Sequence, residues 1–219
     1  MAIDFWKWTK WSQLGFVLKE LFLNKEIRVV TYADQGYNRT YSGICGSIAL
    51  ESGSDLGLDQ VTGIIKLKDV VEENYYGDNE KKEIMKIELN RVETIQAKDA
   101  FYKNSHKKAH KTIVSILNYF KRTAFQKLLK AYSNQKIAVL CNRYTYRGIL
   151  SEIGREYLIL SDAAAVERSG ASNVERPVCE DPINGSLLIM AQSVELIFQP
   201  KWCFAPLPNE IGYLSFKIR

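Results

Sequence analysis

The sequence predicts a mainly β protein with helices, in which two tandem five-stranded barrels are each preceded by an α-helix. Three observations carry this prediction. Four short motifs in residues 24–95 return in the same order in residues 134–197. Runs rich in β-branched and aromatic residues alternate with turn-forming residues, as they do in strands joined by loops. Each set of five such runs follows a stretch with helical periodicity.

The repeated motifs indicate a duplicated chain. They pair Asn24–Val30 with Asn134–Leu140, Thr40–Ile44 with Thr145–Ile149, Ile65–Asp69 with Leu158–Asp162, and Val92–Ile95 with Val194–Ile197. The offset between the copies drifts from 110 to 105, 93 and 102 residues, as loop insertions produce between duplicated domains. We therefore predict domains at residues 1–99 and 100–200, followed by an extended C-terminal tail at 201–219.

The first half begins with a predicted helix at residues 5–23, where Leu14, Leu18 and Phe22 recur at helical spacing. Its five predicted strands are Ile27–Tyr32, Thr40–Leu50, Val61–Val71, Glu83–Leu89 and Arg91–Ala97. Polar loops separate the second, third and fourth strands, whereas a very tight turn at Asn90 links the last two. A hairpin signal lies between the first two strands.

The second half repeats this layout after a predicted helix at residues 105–132, which has an apolar face and a basic face. Its predicted strands are Lys136–Cys141, Thr145–Ile153, Glu156–Val166, Ser186–Ala191 and Ser193–Gln199. A polar insertion, Glu167–Gly185, separates the third and fourth strands, and Glu180–Gly185 within it is typical of a turn. The tail from Pro200 is expected to be extended, with a candidate strand at Tyr213–Ile218.

Composition places the chain among soluble proteins of a reducing compartment. The 219 residues contain 46% hydrophobic residues, but no stretch approaches the ~20 apolar residues of a membrane span. The N-terminus lacks the features of a secretory signal. Cys45, Cys141, Cys179 and Cys203 form no CxxC pair, so we expect free thiols. These features together predict a cytoplasmic location.

The net charge of +5 is unevenly distributed. Residues 100–151 contain no Asp or Glu and carry 11 of the 30 basic residues. The remaining chain has 19 basic and 25 acidic residues, a balance of −6. A basic segment in an otherwise acidic protein creates a local field that attracts polyanions.

The layout of one helix, five short strands, a long loop after the third strand and a tight link after the fourth resembles the fold of Sm and Sm-like (LSm, Hfq-like) proteins. Gly148–Leu150 and Leu158–Ala163 are similar to the first Sm motif, as are Gly43–Ile44 and Ile65–Asp69 in the first half. Ile84–Ile95 and Leu187–Ile197 are similar to the second motif. The resemblance implies small barrels that assemble by pairing the edge strands of neighbours.

The residues that bind RNA in the Sm family are not present at the matching positions. The asparagine of the family's uridine pocket falls on Ile64 in one half and on Tyr157 in the other. The basic–glycine pair of the second motif falls on Glu88–Leu89 and on Met190–Ala191. The resemblance therefore does not carry that pocket over to this chain.

The basic helix and the hairpin that follows it are the best candidate for a binding site. Lysine and arginine side chains contact phosphates, and tyrosines beside them offer stacking surfaces for bases. The predicted nucleic-acid contacts are Lys107, Lys108, Lys111, Lys121, Arg122, Arg143, Tyr144, Tyr146, Arg147, Arg155 and Tyr157. A dock for an acidic protein surface and a merely solvated helix face are the alternatives.

Other chemistry-bearing residues have simpler interpretations. For Trp6, Trp8 and Trp11, contact with a neighbouring barrel or subunit is favoured over anchoring at a membrane surface. His106 and His110 share a helix face, but no acidic residue lies nearby to complete a metal site. The GxSxG, P-loop and GxGxxG patterns are absent from the sequence, so we expect neither an enzyme nor a cofactor.

Two functional hypotheses follow. The first is a non-catalytic protein that binds RNA or single-stranded nucleic acid through the basic helix and hairpin, as an oligomer. The second is a structural or adaptor subunit of a larger assembly that binds no nucleic acid itself. The expected partners are thus a nucleic acid or an acidic protein surface, together with further copies of the chain or other subunits of a complex.

Overall fold

The computed structural model describes residues 5–32, 39–51, 62–73, 79–102, 124–154, 156–167 and 180–207. Within these ranges the protein is mainly β, as the sequence predicts. The helices are α1 (Phe5–Phe22) and α2 (Ala124–Leu129). The strands of the first half are β1 (Glu26–Thr31), β2 (Arg39–Glu51), β3 (Thr62–Glu73), β4 (Glu80–Glu88) and β5 (Val92–Ala97). Those of the second half are β6 (Lys136–Cys141), β7 (Tyr144–Ile153), β8 (Tyr157–Glu167), β9 (Glu180–Pro182), β10 (Leu187–Met190) and β11 (Val194–Phe198).

Ten of these strands match the predicted ones to within a few residues, and two segments differ from expectation. Glu180–Pro182 was predicted as part of a turn but forms strand β9, which pairs with β8. Lys201–Phe204 was predicted to be extended but forms a 3-10 turn. The candidate strand at residues 213–218 and the predicted helix before residue 124 lie outside the described residues.

The described strands form one antiparallel sheet that runs through both halves of the chain, and its division into two barrels stays a prediction. Their order is β11-β6-β7-β8-β10-β5-β1-β2-β3-β4, with β9 beside β8. The two halves are joined edge to edge where β10 pairs with β5. In the described part of the chain β4 and β11 are the two ends of this path and do not pair with each other, so the sheet is not closed. The predicted domain boundary between residues 99 and 100 stays a prediction.

Each half arranges its strands in the same order. The first half reads β5-β1-β2-β3-β4 and the second reads β11-β6-β7-β8-β10. The backbone repeats in detail, because Asn24 (φ 59°) and Asn134 (φ 62°) both adopt the left-handed conformation that asparagine tolerates. Their N–H groups each donate to a carbonyl oxygen of the second strand, that of Cys45 or Leu150, at 2.8 Å. The motifs that repeat in the sequence therefore occupy equivalent places in the fold.

Gly43 and Gly148 show why the repeated motif contains glycine. A Cβ atom at Gly43 would lie 2.8 Å from the carbonyl oxygen of Lys68, and one at Gly148 would lie 2.8 Å from that of Ser161. Both distances are too short for a non-bonded carbon–oxygen contact, so only glycine lets the second and third strands approach this closely. The same close approach in both halves supports the alignment of the two copies.

The junction strands β8 and β10 send alternate side chains into two different cores, as strand geometry requires. Their side chains in the core of the second half are Leu158, Leu160, Leu187 and Ile189. Their side chains in the core of the first half, beside residues of α1, are Tyr157, Ile159, Leu188 and Met190. Full burial of each such aliphatic side chain contributes roughly 1.5–3 kcal/mol. The second half therefore supplies part of the core of the first.

The described cysteines Cys45, Cys141 and Cys203 are buried and form no disulfide with one another. Burial raises the pKa of Cys45 and of Cys203 to about 11. Cys179 lies outside the described residues.

None of the described helices has the length and apolarity needed to cross a bilayer.

Candidate functional site

The junction between the halves combines backbone pairing with polar and apolar side-chain contacts. Backbone pairing places Leu187 opposite Gln96, Leu188 opposite Ile95 and Ile189 opposite Thr94. This is a three-residue ladder between the fourth strand of one half and the fifth strand of the other. The side chains around this ladder form the surfaces through which the two halves contact each other.

We call the outward surface of the first half, carried by Arg28, Thr40, Ser42, Glu73 and Thr94, face 1. Strand register places these residues side by side, since β1 pairs with both β2 and β5. Arg28 donates to Glu73 through two nitrogens, at 2.6 and 3.2 Å, and Ser42 Oγ donates to Glu73 Oε1 at 2.9 Å. The ion pair is largely shielded from solvent, with side-chain exposures of 11% and 15%. It is shielded because the second half covers face 1.

The second half covers face 1 with polar contacts from β7 and the residue before it. Arg143 Nη1 donates to Thr40 Oγ1 at 2.9 Å. The hydroxyls of Tyr146 and Thr94 share a buried hydrogen bond of 3.3 Å. Asp181 on β9 is also buried, and burial raises its pKa to about 6 while the charge of Arg28 opposes that rise. Face 1 is thus specifically recognised by the other half of the chain.

Glu93 is a carboxyl group buried in the same junction. It lies where the β1–β5 register shifts, and its exposure is 0%. Its Oε2 accepts the backbone N–H of Arg143 at 3.3 Å, whereas Oε1 has no hydrogen-bond partner among the described residues. Burial raises the pKa of Glu93 to about 7, against the lowering influence of Arg143. This carboxyl group therefore titrates near neutral pH.

Residues of the second half at the equivalent positions form a matching surface, which we call face 2. Alignment of the repeated motifs and strands gives its members as Ala138, Thr145, Arg147, Val166 and Leu196. In the described residues, the C-terminal segment Pro200–Leu207 covers the part of face 2 around Ala138, Arg147 and Val166, whereas Leu196 is 53% exposed. Trp202 and Cys203 of that segment are buried with Ala138 and Val166. The ring of Phe198 meets that of Trp202 edge-on at 6.1 Å.

Arg147 is the polar centre of face 2. Its exposure is 2%, and its guanidinium forms a buried ion pair with Glu180. It also donates to three carbonyl oxygens of the C-terminal segment, those of Cys203 (3.3 Å), Ala205 (2.7 Å) and Pro206 (3.1 Å). One buried side chain thus binds β9 and the C-terminal segment to the second half.

The hydroxyl group of Thr145 on face 2 differs from its counterpart on face 1. Thr145 is fully buried, and its Oγ1 has no hydrogen-bond partner among the described residues. Its counterpart Thr40 on face 1 accepts a hydrogen bond from Arg143 of the other half. A buried hydroxyl without a partner costs roughly 1–3 kcal/mol. The C-terminal segment therefore covers face 2 less completely than the second half covers face 1.

The two outer edges of the sheet differ in chemistry. Six of the nine residues of β4 are charged, which is typical of edge strands that resist random pairing. Strand β11 carries a single charged residue, Glu195, and exposes Leu196 by 53%. An exposed apolar edge is the kind of surface that accepts another strand.

The predicted nucleic-acid contacts fall into three groups. Tyr146, Arg147 and Tyr157 are buried at 2% exposure or less, so the prediction that they contact nucleic acid is corrected, because they act as packing and hydrogen-bonding groups inside the chain. Arg143 and Tyr144 are half-buried at the junction, with the Arg143 guanidinium 5.0 Å from the Tyr144 ring centre. The remaining predicted contacts lie outside the described residues: Lys107, Lys108, Lys111, Lys121, Arg122 and Arg155.

Sequence reasoning missed Thr40, Glu93, Glu180 and Asp181 as interface residues. The return of Thr40 as Thr145 in the repeat was an available signal. Glu180 and Asp181 stood in a segment with the composition of a turn, so no pattern marked them. The side chains of Trp6, Trp8 and Trp11, and all of His106 and His110, lie outside what the structure describes.

The arrangement is suited to binding another β unit. Each half has a strand edge that can accept another strand, with a face beside it. Face 1 is covered by the second half of the chain, whereas face 2 is contacted by the C-terminal segment. Across the described ranges, His, Cys, Asp and Glu form no cluster suited to a metal ion. No protein-family model, no curated protein and no solved structure matches this chain.

Proposed function

We propose that this protein is a structural subunit that assembles head to tail through its two sheet edges. The observation that carries the proposal is the internal junction. It pairs β10 with β5, and these strands are the counterparts of β4 and β11, which end the sheet on either side. The same pairing between two chains would join the β4 edge of one to the β11 edge of the next. Edge-to-edge assembly is also what the resemblance to Sm-like proteins implies for each half.

The internal ladder gives the register of the proposed contact. Transferring its three pairs by the 102-residue offset places Met85 opposite Phe198, Lys86 opposite Ile197 and Ile87 opposite Leu196. Two of these pairs are apolar, and the exposed side chain of Leu196 would be covered. Cross-strand apolar pairs of this kind each contribute roughly 0.2–1 kcal/mol.

The contact between chains is expected to be weaker than the internal one. The internal junction buries Leu188 and Met190, whereas their counterparts on β4 are the exposed charged residues Lys86 and Glu88. Charged side chains lose hydration when a strand is laid against them. Assembly should therefore be reversible and depend on protein concentration.

Substituting Leu196→Lys tests the proposed edge. A lysine at the centre of β11 places a charge on the pairing edge, so we expect the concentration needed for half-maximal assembly to rise at least tenfold, about 1.4 kcal/mol. Mass measured by light scattering over a concentration series gives this value. The matched control is Ile44→Lys, since Ile44 is similarly exposed (42%) but lies on β2, which already has a neighbour on each side. Equal assembly of the Leu196→Lys variant and the unmodified protein would overturn the proposed contact.

A second candidate function is the binding of RNA or single-stranded nucleic acid by the basic segment. Its support is the distribution of charge, since residues 100–151 hold 11 basic and no acidic residues. Two of these, Lys127 in α2 and Lys130 directly after it, are exposed. Tyr146, Arg147 and Tyr157 are not part of this proposal, because their side chains are buried.

Charge reversal tests the nucleic-acid proposal. With about five phosphate contacts, affinity for a single-stranded oligonucleotide should fall roughly 100-fold between 50 and 200 mM salt. Replacing the five basic residues Lys107, Lys108, Lys111, Lys121 and Arg122 by Glu should abolish binding in a fluorescence-anisotropy titration. The control also carries five charge reversals, each Lys→Glu, at exposed sites elsewhere: Lys19, Lys68, Lys81, Lys98 and Lys201. Binding that survives the first set as well as the second would rule this site out.

A further inference from the structure

We propose that the C-terminal segment Pro200–Leu207 is a displaceable cap on face 2, where it competes with the docking of a second copy of the chain. The inference rests on the proposed head-to-tail assembly and adds its regulation. At the junction the second half of the chain docks on face 1, so a half of this kind is the unit that such a face binds. Face 2 is its counterpart, and the segment lies where a further half would lie.

Face 1 and face 2 correspond to each other residue by residue. Thr40 and Thr145 occur at the same place in a repeated motif, and so do Thr94 and Leu196. Face 1 contacts the other half at Thr40 and Thr94. A chain docked through β4 on the β11 edge would bring its own first half over Thr145 and the positions beside it. That space is taken by Trp202 and Cys203, which are 3% and 2% exposed.

Among the described residues, the cap buries Trp202 and Cys203 and accepts hydrogen bonds from Arg147 and, at 3.4 Å to the carbonyl oxygen of Phe204, from Lys136 Nζ. Lys201–Phe204 is a single 3-10 turn, and its backbone hydrogen bonds run within the segment, from Cys203 to Pro200 and from Ala205 to Trp202. Its main polar attachment is the donation of three hydrogen bonds from Arg147 to backbone carbonyls. The described part of the segment adds no strand to the β11 edge. A docking chain would gain that strand pairing, which the cap leaves open.

The hydroxyl group of Thr145 points to the same conclusion. A docked half satisfies the equivalent hydroxyl of Thr40 through Arg143, whereas the cap leaves Thr145 Oγ1 without a partner among the described residues. The cap is thus a partial substitute for a docked unit. It shields the apolar part of face 2 and can yield to a partner that contacts more of it.

Trp202→Ala is the main test, because it removes the largest side chain that the cap buries on face 2. We expect half-maximal assembly, followed by light scattering, at a concentration at least tenfold lower than for the unmodified protein. Truncation after Gln199 should have the same effect, and a peptide of residues 200–219 added to the truncated protein should reverse it. The matched control is Phe204→Ala, since Phe204 belongs to the same turn but its side chain is 56% exposed.

Cys203 provides a second readout that does not depend on assembly. Cys203 belongs to the cap, its thiol is buried against face 2, and burial raises its pKa to about 11, so it should react slowly with an alkylating reagent. In the monomeric Trp202→Ala variant we expect alkylation at Cys203, located by peptide mass mapping, to be at least tenfold faster. The Phe204→Ala variant should react like the unmodified protein.

The outcomes separate the cap from the assembly on which it rests. If the unmodified, Trp202→Ala and truncated proteins assemble at the same concentration, the cap is ruled out and head-to-tail assembly stands. If none of them assembles at any concentration, the proposed function fails, and the cap as a competitor fails with it. Slow alkylation of Cys203 in the Trp202→Ala variant would also overturn the cap, even if that variant assembles more readily. Lower assembly concentrations together with fast alkylation support both proposals.

Discussion

Replacing Arg147 by methionine is expected to lower the free energy of unfolding by about 3–5 kcal/mol, the cost of leaving one member of a buried ion pair alone. Glu180, with 4% side-chain exposure, would lose its ion-pair partner, and three carbonyl oxygens of the C-terminal segment would lose their donor. For a chain of this length the loss corresponds to a fall in Tm of roughly 6 to 20 °C. Thermal and denaturant unfolding followed by circular dichroism would measure it.

Two control variants separate charge from packing at this position. The double variant Arg147→Met with Glu180→Gln removes both charges, so it should recover most of the lost stability. Arg39→Met removes an arginine that is 59% exposed and leaves its partner Glu72 paired with Lys82, so it should cost less than about 1 kcal/mol. A loss under 1 kcal/mol for Arg147→Met would show that the Arg147–Glu180 pair does not hold the second half together.

Replacing Glu93 by glutamine is expected to stabilise the protein by about 3 kcal/mol at pH 8 and to change nothing at pH 4. The pKa of Glu93 is raised from 4.5 to about 7 because the carboxyl group is buried. Below pH 4.5 the group is protonated in both the folded and the unfolded chain, so it contributes nothing. Between pH 4.5 and 7 the folded chain retains a proton that the unfolded chain has lost, and stability falls as pH rises. The rise in the pKa of Glu93 from 4.5 to about 7 corresponds to roughly 3 kcal/mol of stability.

The measurement is the denaturant midpoint of Glu93→Gln and of the unmodified protein across pH 4–8. The difference between the two curves isolates Glu93 from the other titrating groups. Glu26→Gln is the control, because it makes the same substitution at an exposed carboxyl group on the neighbouring strand β1, and its curve should follow that of the unmodified protein. Parallel curves for Glu93→Gln and the unmodified protein would mean that Glu93 does not carry a raised pKa.

Most of the secondary structure could be predicted because it depends on local patterns. Helix α1 follows from leucines at helical spacing, and β6 was predicted with the bounds it has, Lys136–Cys141. Strand β9 could not be predicted, because its three residues include Pro182 and it depends on its pairing with β8. Edge pairing between the two halves was implied by the resemblance to Sm-like proteins, whereas the sharing of their cores was not predicted. Alternation along Tyr157–Leu160 shows a strand but does not show that its two faces enter the cores of different halves.

The interface was harder to predict than the fold, since burial of a polar residue depends on distant parts of the chain. Arg147 and Tyr146 stand in a motif with basic and aromatic residues, which is typical of a nucleic-acid surface. The residues that bury them are Thr94, Glu180 and the segment from Cys203 to Pro206, between 33 and 59 positions away along the chain. Only the three-dimensional arrangement brings these partners together. The duplication, in contrast, was readable, because it repeats short motifs in order.

The junction has a consequence for the order in which the protein is made. Leu188 and Met190 help to fill the core of the first half, and Leu188 pairs with Ile95, which precedes it by 93 positions. A ribosome that adds roughly 5–20 residues per second needs about 5–20 s to synthesise that stretch. During this interval the first half has emerged with an incomplete core and with the edge of β5 unpaired. The nascent chain therefore passes through a stage in which a chaperone or a neighbouring nascent copy can bind the place that β10 later fills.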